Sequence, residues 1–135
     1  MNFYLAIVIA AVAAWLAGAV WYGIFGKLWV AALGTTREAL AAKGPRAYLP
    51  FILAFVAELV MAWMLAGLLQ HLAPSFPISV KNGIISAVHL WVAFVLSVML
   101  VNNSFARRDW RLLLIDGGHW LLVMVLMGAI VGAML

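Results

Sequence analysis

The chain contains no cysteine, which excludes a disulfide scaffold. Charge is nearly as scarce: Asp, Glu, Lys and Arg make up 9% of its 135 residues. Soluble domains carry about 25% charged residues, so an ordinary water-soluble globule is excluded. A disordered chain needs high charge and low hydrophobicity, and here 69% of the residues are hydrophobic. Proline is rare, with four in the chain. Two of them, Pro74 and Pro77, flank Ser75-Phe76 and favour an extended or turning segment over continued helix.

What is present is long apolar sequence, with a mean hydropathy of +1.18. A membrane helix needs about 20 mostly apolar residues to cross roughly 30 Å of hydrocarbon. Four runs meet that requirement, at residues 3–25, 48–69, 82–101 and 112–134. The alternation of apolar and polar residues that marks a membrane β-barrel is missing. The predicted fold is all-α: a single transmembrane domain built as a four-helix bundle. Ala17-Gly18-Ala19 resembles a signal-peptide cleavage site. However, no Lys or Arg precedes the first run and its length exceeds an ordinary signal core, so it is expected to be a mature span.

The net charge is +4 and the pI near 10.0. These cations lie between the apolar runs, which reads as membrane topology rather than nucleic-acid binding. Lys27, Arg37, Lys43 and Arg46 fall in the first loop, and Arg107, Arg108 and Arg111 in the third. The second loop holds only Lys81. The positive-inside rule then places loops one and three in the cytoplasm and both termini outside. Thr35-Thr36-Arg37-Glu38 fits a capping box with Thr35 as the cap, and Gly44-Pro45 is a plausible stop, so a short helix is expected in loop one. Trp21, Tyr22, Phe25, Trp29, Tyr48 and Trp110 form an aromatic belt near that surface.

Ionisable residues inside a membrane span cost free energy and point to function by default. Glu58 lies roughly 15 Å deep on the 1.5 Å rise of a helix, His119 about 10 Å, Asp116 about 6 Å and His89 near 20 Å. Asp116 and His119 share a helix face. Ser86, His89, Ser97 and Asn103 fall in one polar stripe of span three, and Glu58 sits in a row of alanines that lets a neighbouring helix approach. If all point inward they form a ladder from Asp116 through His119 and Glu58 to His89. Two functions fit this arrangement. One is a proton-coupled site for binding or transporting a small molecule. The other is a structural or accessory protein in which the same residues are interhelical glue.

No metal or cofactor is expected. The ligand types are present, but no Glu-x-x-His pair occurs, and His89 and His119 lie at different depths. No nucleophile elbow, P-loop or dinucleotide-binding pattern supports an enzyme. Ala6, Ala10, Ala14 and Gly18 on span one, and Gly128 and Gly132 on span four, permit close helix contact, either within one bundle or in a homodimer. Membrane lipid is the other expected partner.

Two segments carry a family resemblance. Ala17-Gly18-Ala19-Val20-Trp21-Tyr22-Gly23-Ile24-Phe25-Gly26-Lys27-Leu28-Trp29 is similar to the first-span signature of bacterial membrane proteins catalogued as domain of unknown function 1761. Leu114-Ile115-Asp116-Gly117-Gly118-His119, followed by Met127-Gly128-Ala129-Ile130, resembles that family's last span. The resemblance implies a small four-span protein of the bacterial inner membrane. It gives weight to Trp21, Tyr22, Gly23, Gly26, Asp116, Gly118 and Gly128, adds none to Glu58 or His89, and implies no activity.

Overall fold

A computed structural model describes residues 2–42 and 44–135. The described residues form helices and connecting turns, with no strand. The helices are α1 (Phe3–Ala32), α2 (Arg37–Ala41), α3 (Leu49–Leu72), α4 (Val80–Leu90), α5 (Ser97–Phe105) and α6 (Trp110–Met134). A 3-10 turn, Gly44–Tyr48, leads into α3. A π-helical stretch, Trp91–Leu96, joins α4 to α5 as one continuous rod. Four helical segments are long and apolar enough to cross a membrane: Phe3–Leu33, Arg46–Leu72, Val80–Phe105 and Trp110–Met134.

Local chemistry sets the ends of these helices. Asn2, Ser79 and Asp109 each accept a backbone N–H from the first turn that follows, at Tyr4, Asn82 and Arg111, which satisfies donors a helix leaves open. Pro50 occupies the start of α3, where its missing N–H costs nothing. The first helix continues past Phe25 to Ala32 because no breaker intervenes before Gly34. Gly34 adopts φ 72°, and the following N–H, from Thr35, reaches back to the Val30 carbonyl. That closure is the glycine-ended cap expected at a helix C-terminus.

It also corrects the capping box. Thr35 is used up in ending α1, so Thr36, with extended backbone, caps α2 and accepts from the Ala39 N–H. Arg107 ends α5 in the same way at φ 51°, with the Arg108 N–H on the Asn103 carbonyl.

Helix α6 is the hub, packed against α1, α3 and α4. Its contact with α4 is backbone on backbone: a Cβ added to Gly83 would lie 2.0 Å from the Gly128 carbonyl oxygen. One added to Gly132 would lie 2.3 Å from the Ser79 carbonyl. The glycines of span four are therefore used inside the bundle. The core is built from small residues and flexible fillers, among them Ala10, Ala14, Ala62, Ala66, Ala87, Val123 and Met127. Small residues let helices approach where lipid supplies no hydrophobic drive. Val92, Phe94, Val98, Leu100 and Val101 of the third span face outward, an exposed apolar surface suited to lipid.

Candidate functional site

The α1–α6 contact carries most of the polar chemistry. On α1, Gly18, Tyr22 and Trp29 lie close to one face at helical spacing, with Trp21 beside them. Two glycines let the helices close together. The ring of His119 lies over Gly18, where a Cβ would sit 2.8 Å from its Nε2. The ring of Trp21 lies over Gly118, again at 2.8 Å. Neither indole nor imidazole could lie there over a larger residue.

The same closeness brings donors to acceptors. The Trp21 indole donates to the Ile115 carbonyl at 3.0 Å. The Tyr22 hydroxyl donates a short hydrogen bond to Oδ1 of Asp116. From the π-helical stretch, Trp91 donates to the Gly117 carbonyl at 2.9 Å. Buried tryptophan and tyrosine normally find such partners, and here those partners tie two other spans to one turn of α6.

His119 is 7% exposed and stacks at an angle against Tyr22 and Trp120, with ring centroids 5.0 and 4.8 Å away. Its Nδ1 is buried without a hydrogen-bond partner, as is the indole N–H of Trp29. Trp29 packs edge-on against Tyr22 at 5.8 Å.

Asp116 is half-buried and reaches a groove of about 650 Å³ between α5 and α6. Asn102, Asn103, Arg108 and Trp120 line the groove with it, together with Met99 and Phe105. Beyond the groove, Asp109 caps α6 and grips Arg111 through Oδ2 at 2.7 Å. Those hydrogen bonds hold its carboxyl below the usual carboxylate range.

The remaining polar residues of the spans lie elsewhere. Glu58 is 1% exposed, and its Oε2 is buried without a partner. His89 points outward, and its Nδ1 sits 2.8 Å from the Ile85 carbonyl of its own helix. With Asn82 and Ser86 it lines a separate groove of about 330 Å³ between α3 and α4. Ser97 is exposed and donates to the Val92 carbonyl of its own span at 2.7 Å.

The structure therefore gathers Asp116, His119 and Asn103 at one end of the bundle. It leaves Glu58 apart from them and turns His89 and Ser97 away. Asp116 and His119 are adjacent ligand types, and no third His or acidic side chain joins them among the described residues.

Sequence reasoning passed over Asn102, Arg108 and Trp91 as parts of this site. For Trp91 a signal existed, since an indole N–H deep in an apolar span needs an acceptor. The family-motif positions now have physical roles: Trp21 seats on Gly118, Tyr22 binds Asp116, Gly128 meets Gly83, and Gly26 makes room for the Arg37 guanidinium. Gly23 meets nothing within 4 Å, and nothing in the structure explains it.

Residues 5–132 match the model of the protein family of unknown function DUF1761. The match covers nearly the whole chain, so the chain belongs to that family. No curated protein and no solved structure matches it.

Proposed function

We propose that this DUF1761 protein is a multi-pass protein of the bacterial cytoplasmic membrane that binds a small polar molecule in the groove beside Asp116. Loops one and three would face the cytoplasm, as their Lys and Arg content requires, and both termini would lie outside. The observation that carries the reading is the groove itself. An intramembrane carboxyl, an arginine and two carboxamides line one opening of about 650 Å³, within the usual size of small-molecule sites. In this reading Asp116 anchors the ligand and Tyr22 fixes the carboxyl's rotamer. Glu58, buried and unpartnered, is the proton-exchanging group if binding is coupled to transport.

The experiment is a titration of the purified protein in nanodiscs with small amines and zwitterions, following thermal unfolding. Wild type should be stabilised by at least one of them, and Asp116→Asn should lose that effect while remaining folded. Stabilisation of equal size in both proteins would overturn the reading. Coupling is tested with Glu58→Gln, which should remove the pH dependence of binding.

A second reading has its own support. Trp21, Tyr22 and Trp91 bind α6 from two other spans, as interhelical glue would in an accessory protein. It expects Asp116→Asn to change stability and no ligand to be bound.

A further inference from the structure

The groove between α3 and α4 has one polar wall and one apolar wall. Asn82, Ser86 and His89 line it from α4, at i, i+4 and i+7 on one helix face. Opposite them α3 contributes Leu68, Leu69 and Leu72, whose side chains form no hydrogen bond. Phe76, from the connection between the two helices, lines the end nearest that connection. No residue of this groove lines the one beside Asp116.

His89 gives the groove a chemical demand. It lies nine residues beyond Val80, so about 14 Å into the third span at 1.5 Å per residue. Its Nδ1 sits 2.8 Å from the Ile85 carbonyl. A carbonyl only accepts, so Nδ1 carries the proton, and Nε2 of the neutral ring is left as an acceptor. The bond to Ile85 is the one the ring makes among the described residues. The side chain is exposed and too short to reach the headgroups. An acceptor that faces hydrocarbon without a donor costs free energy. The leucine wall supplies no donor, so the donor comes from outside the chain.

The shape of the groove narrows the choice. Ile85 in its wall is 43% exposed and Phe76 is 59% exposed, so the groove is reached from the flank of the bundle. Its volume of about 330 Å³ lies at the low end of small-molecule sites, with room for one ring system and not for a pair of acyl chains. The occupant is therefore soluble in the membrane, compact and mostly apolar, and it carries an O–H or N–H donor.

We infer that this groove binds a lipid-soluble phenol of the quinol class, with one hydroxyl donating to Nε2 of His89 and the ring against Phe76 and the leucines of α3. Ser86 and Asn82, further along the polar wall, offer hydroxyl and amide groups to the remaining oxygens of the ring. An aromatic ring suits Phe76, which packs with another ring offset or edge-on. The oxidised quinone has carbonyls where the quinol has hydroxyls. It cannot donate to Nε2, so the groove selects the reduced form.

The test is anaerobic equilibrium binding to the purified protein in nanodiscs, with empty nanodiscs subtracted. Three probes share one ring and tail: decylubiquinol, decylubiquinone and the quinol with both hydroxyls methylated. Wild type should bind the quinol about tenfold more tightly than either other probe, the size of one lost hydrogen bond. His89→Phe, at an exposed position, keeps a ring and removes the acceptor, and it should bring the three probes to equal affinity. Leu72→Trp should fill the groove and weaken all three.

Equal affinity of the three probes for wild type, or a quinol preference that survives His89→Phe, would overturn the inference. So would the absence of saturable binding, which would leave the groove to water and acyl chains. A quinol preference lost in Asp116→Asn and kept in His89→Phe would place the ligand in the other groove and likewise end this assignment. None of these results bears on whether small amines and zwitterions bind beside Asp116, so the two sites stand or fall separately.

Discussion

The hydroxyl of Tyr22 on the first span donates to the carboxylate of Asp116 on the fourth, 94 residues away in sequence. The bond exists because Gly18 and Gly118 let the two helices close until the His119 and Trp21 rings lie on bare backbone. It both joins the bundle and orients the one carboxyl that reaches the groove.

Tyr22→Phe removes the donor and leaves the half-buried carboxylate short of a partner. A side-chain hydrogen bond between membrane helices is worth about 0.5–2 kcal/mol. The thermal midpoint in detergent should fall accordingly, and Asp116→Asn, which keeps an acceptor, should cost less. Equal stability of Tyr22→Phe and wild type would show that the bond carries no weight.

Gly83→Ala and Gly128→Ala should each prevent native packing of α4 on α6. The added methyl meets backbone, which cannot swing away, and overpacking typically costs about 1–3 kcal/mol and more where nothing yields. Gly67 has open space around it. Gly67→Ala should stabilise α3 by about 0.5–1 kcal/mol through helix propensity. Comparing the three unfolding curves checks the seam, and a tolerated Gly83→Ala would contradict it.

Arg107 holds a left-handed backbone at φ 51° to close α5. That conformation costs a non-glycine residue about 1–2 kcal/mol. Arg107→Gly should therefore raise stability by about 1 kcal/mol, read as a higher unfolding midpoint. A lower midpoint would mean that the side chain makes up for the strain.

Glu58 is buried with one oxygen unpartnered. An unsatisfied buried polar group costs about 1–3 kcal/mol, so Glu58→Met, of similar length and apolar, should stabilise the protein. The interhelical-glue role requires the opposite sign. A drop in the midpoint would assign Glu58 a partner and a structural role.

Asp109 makes the turn before α6 sensitive to acid. Its carboxyl is held below the usual range by the Arg111 hydrogen bonds. Its contribution is therefore complete above about pH 4, the unfolded carboxylate value. It is lost as pH falls through the lowered folded value. Asp109→Asn, which keeps the cap and loses the ion pair, should flatten the acid limb of the stability curve. An unchanged acid limb would remove Asp109 from that role.

Composition and run length determined the architecture before any contact was known. Four apolar stretches must become helices, because an unpaired backbone group in hydrocarbon costs several kcal/mol. The helix ends at Asn2, Ser79 and Asp109 needed only local chemistry. The turn at Thr35 was harder to read, because two threonines compete and the choice depends on how the preceding helix ends.

Which polar residues meet was decided by tertiary structure. The first, second and fourth spans are apolar nearly all round, so no stripe announces which face points inward. In the third span a polar stripe suggested His89 as the inner face. Close approach of Gly83 and Ala87 to α6 instead chose a face about 120–160° around the helix from His89 at 100° per residue. In lipid, shape selects the interface before polarity does. That is why Asp116 found Tyr22 while Glu58 and His89 found no partner on another helix.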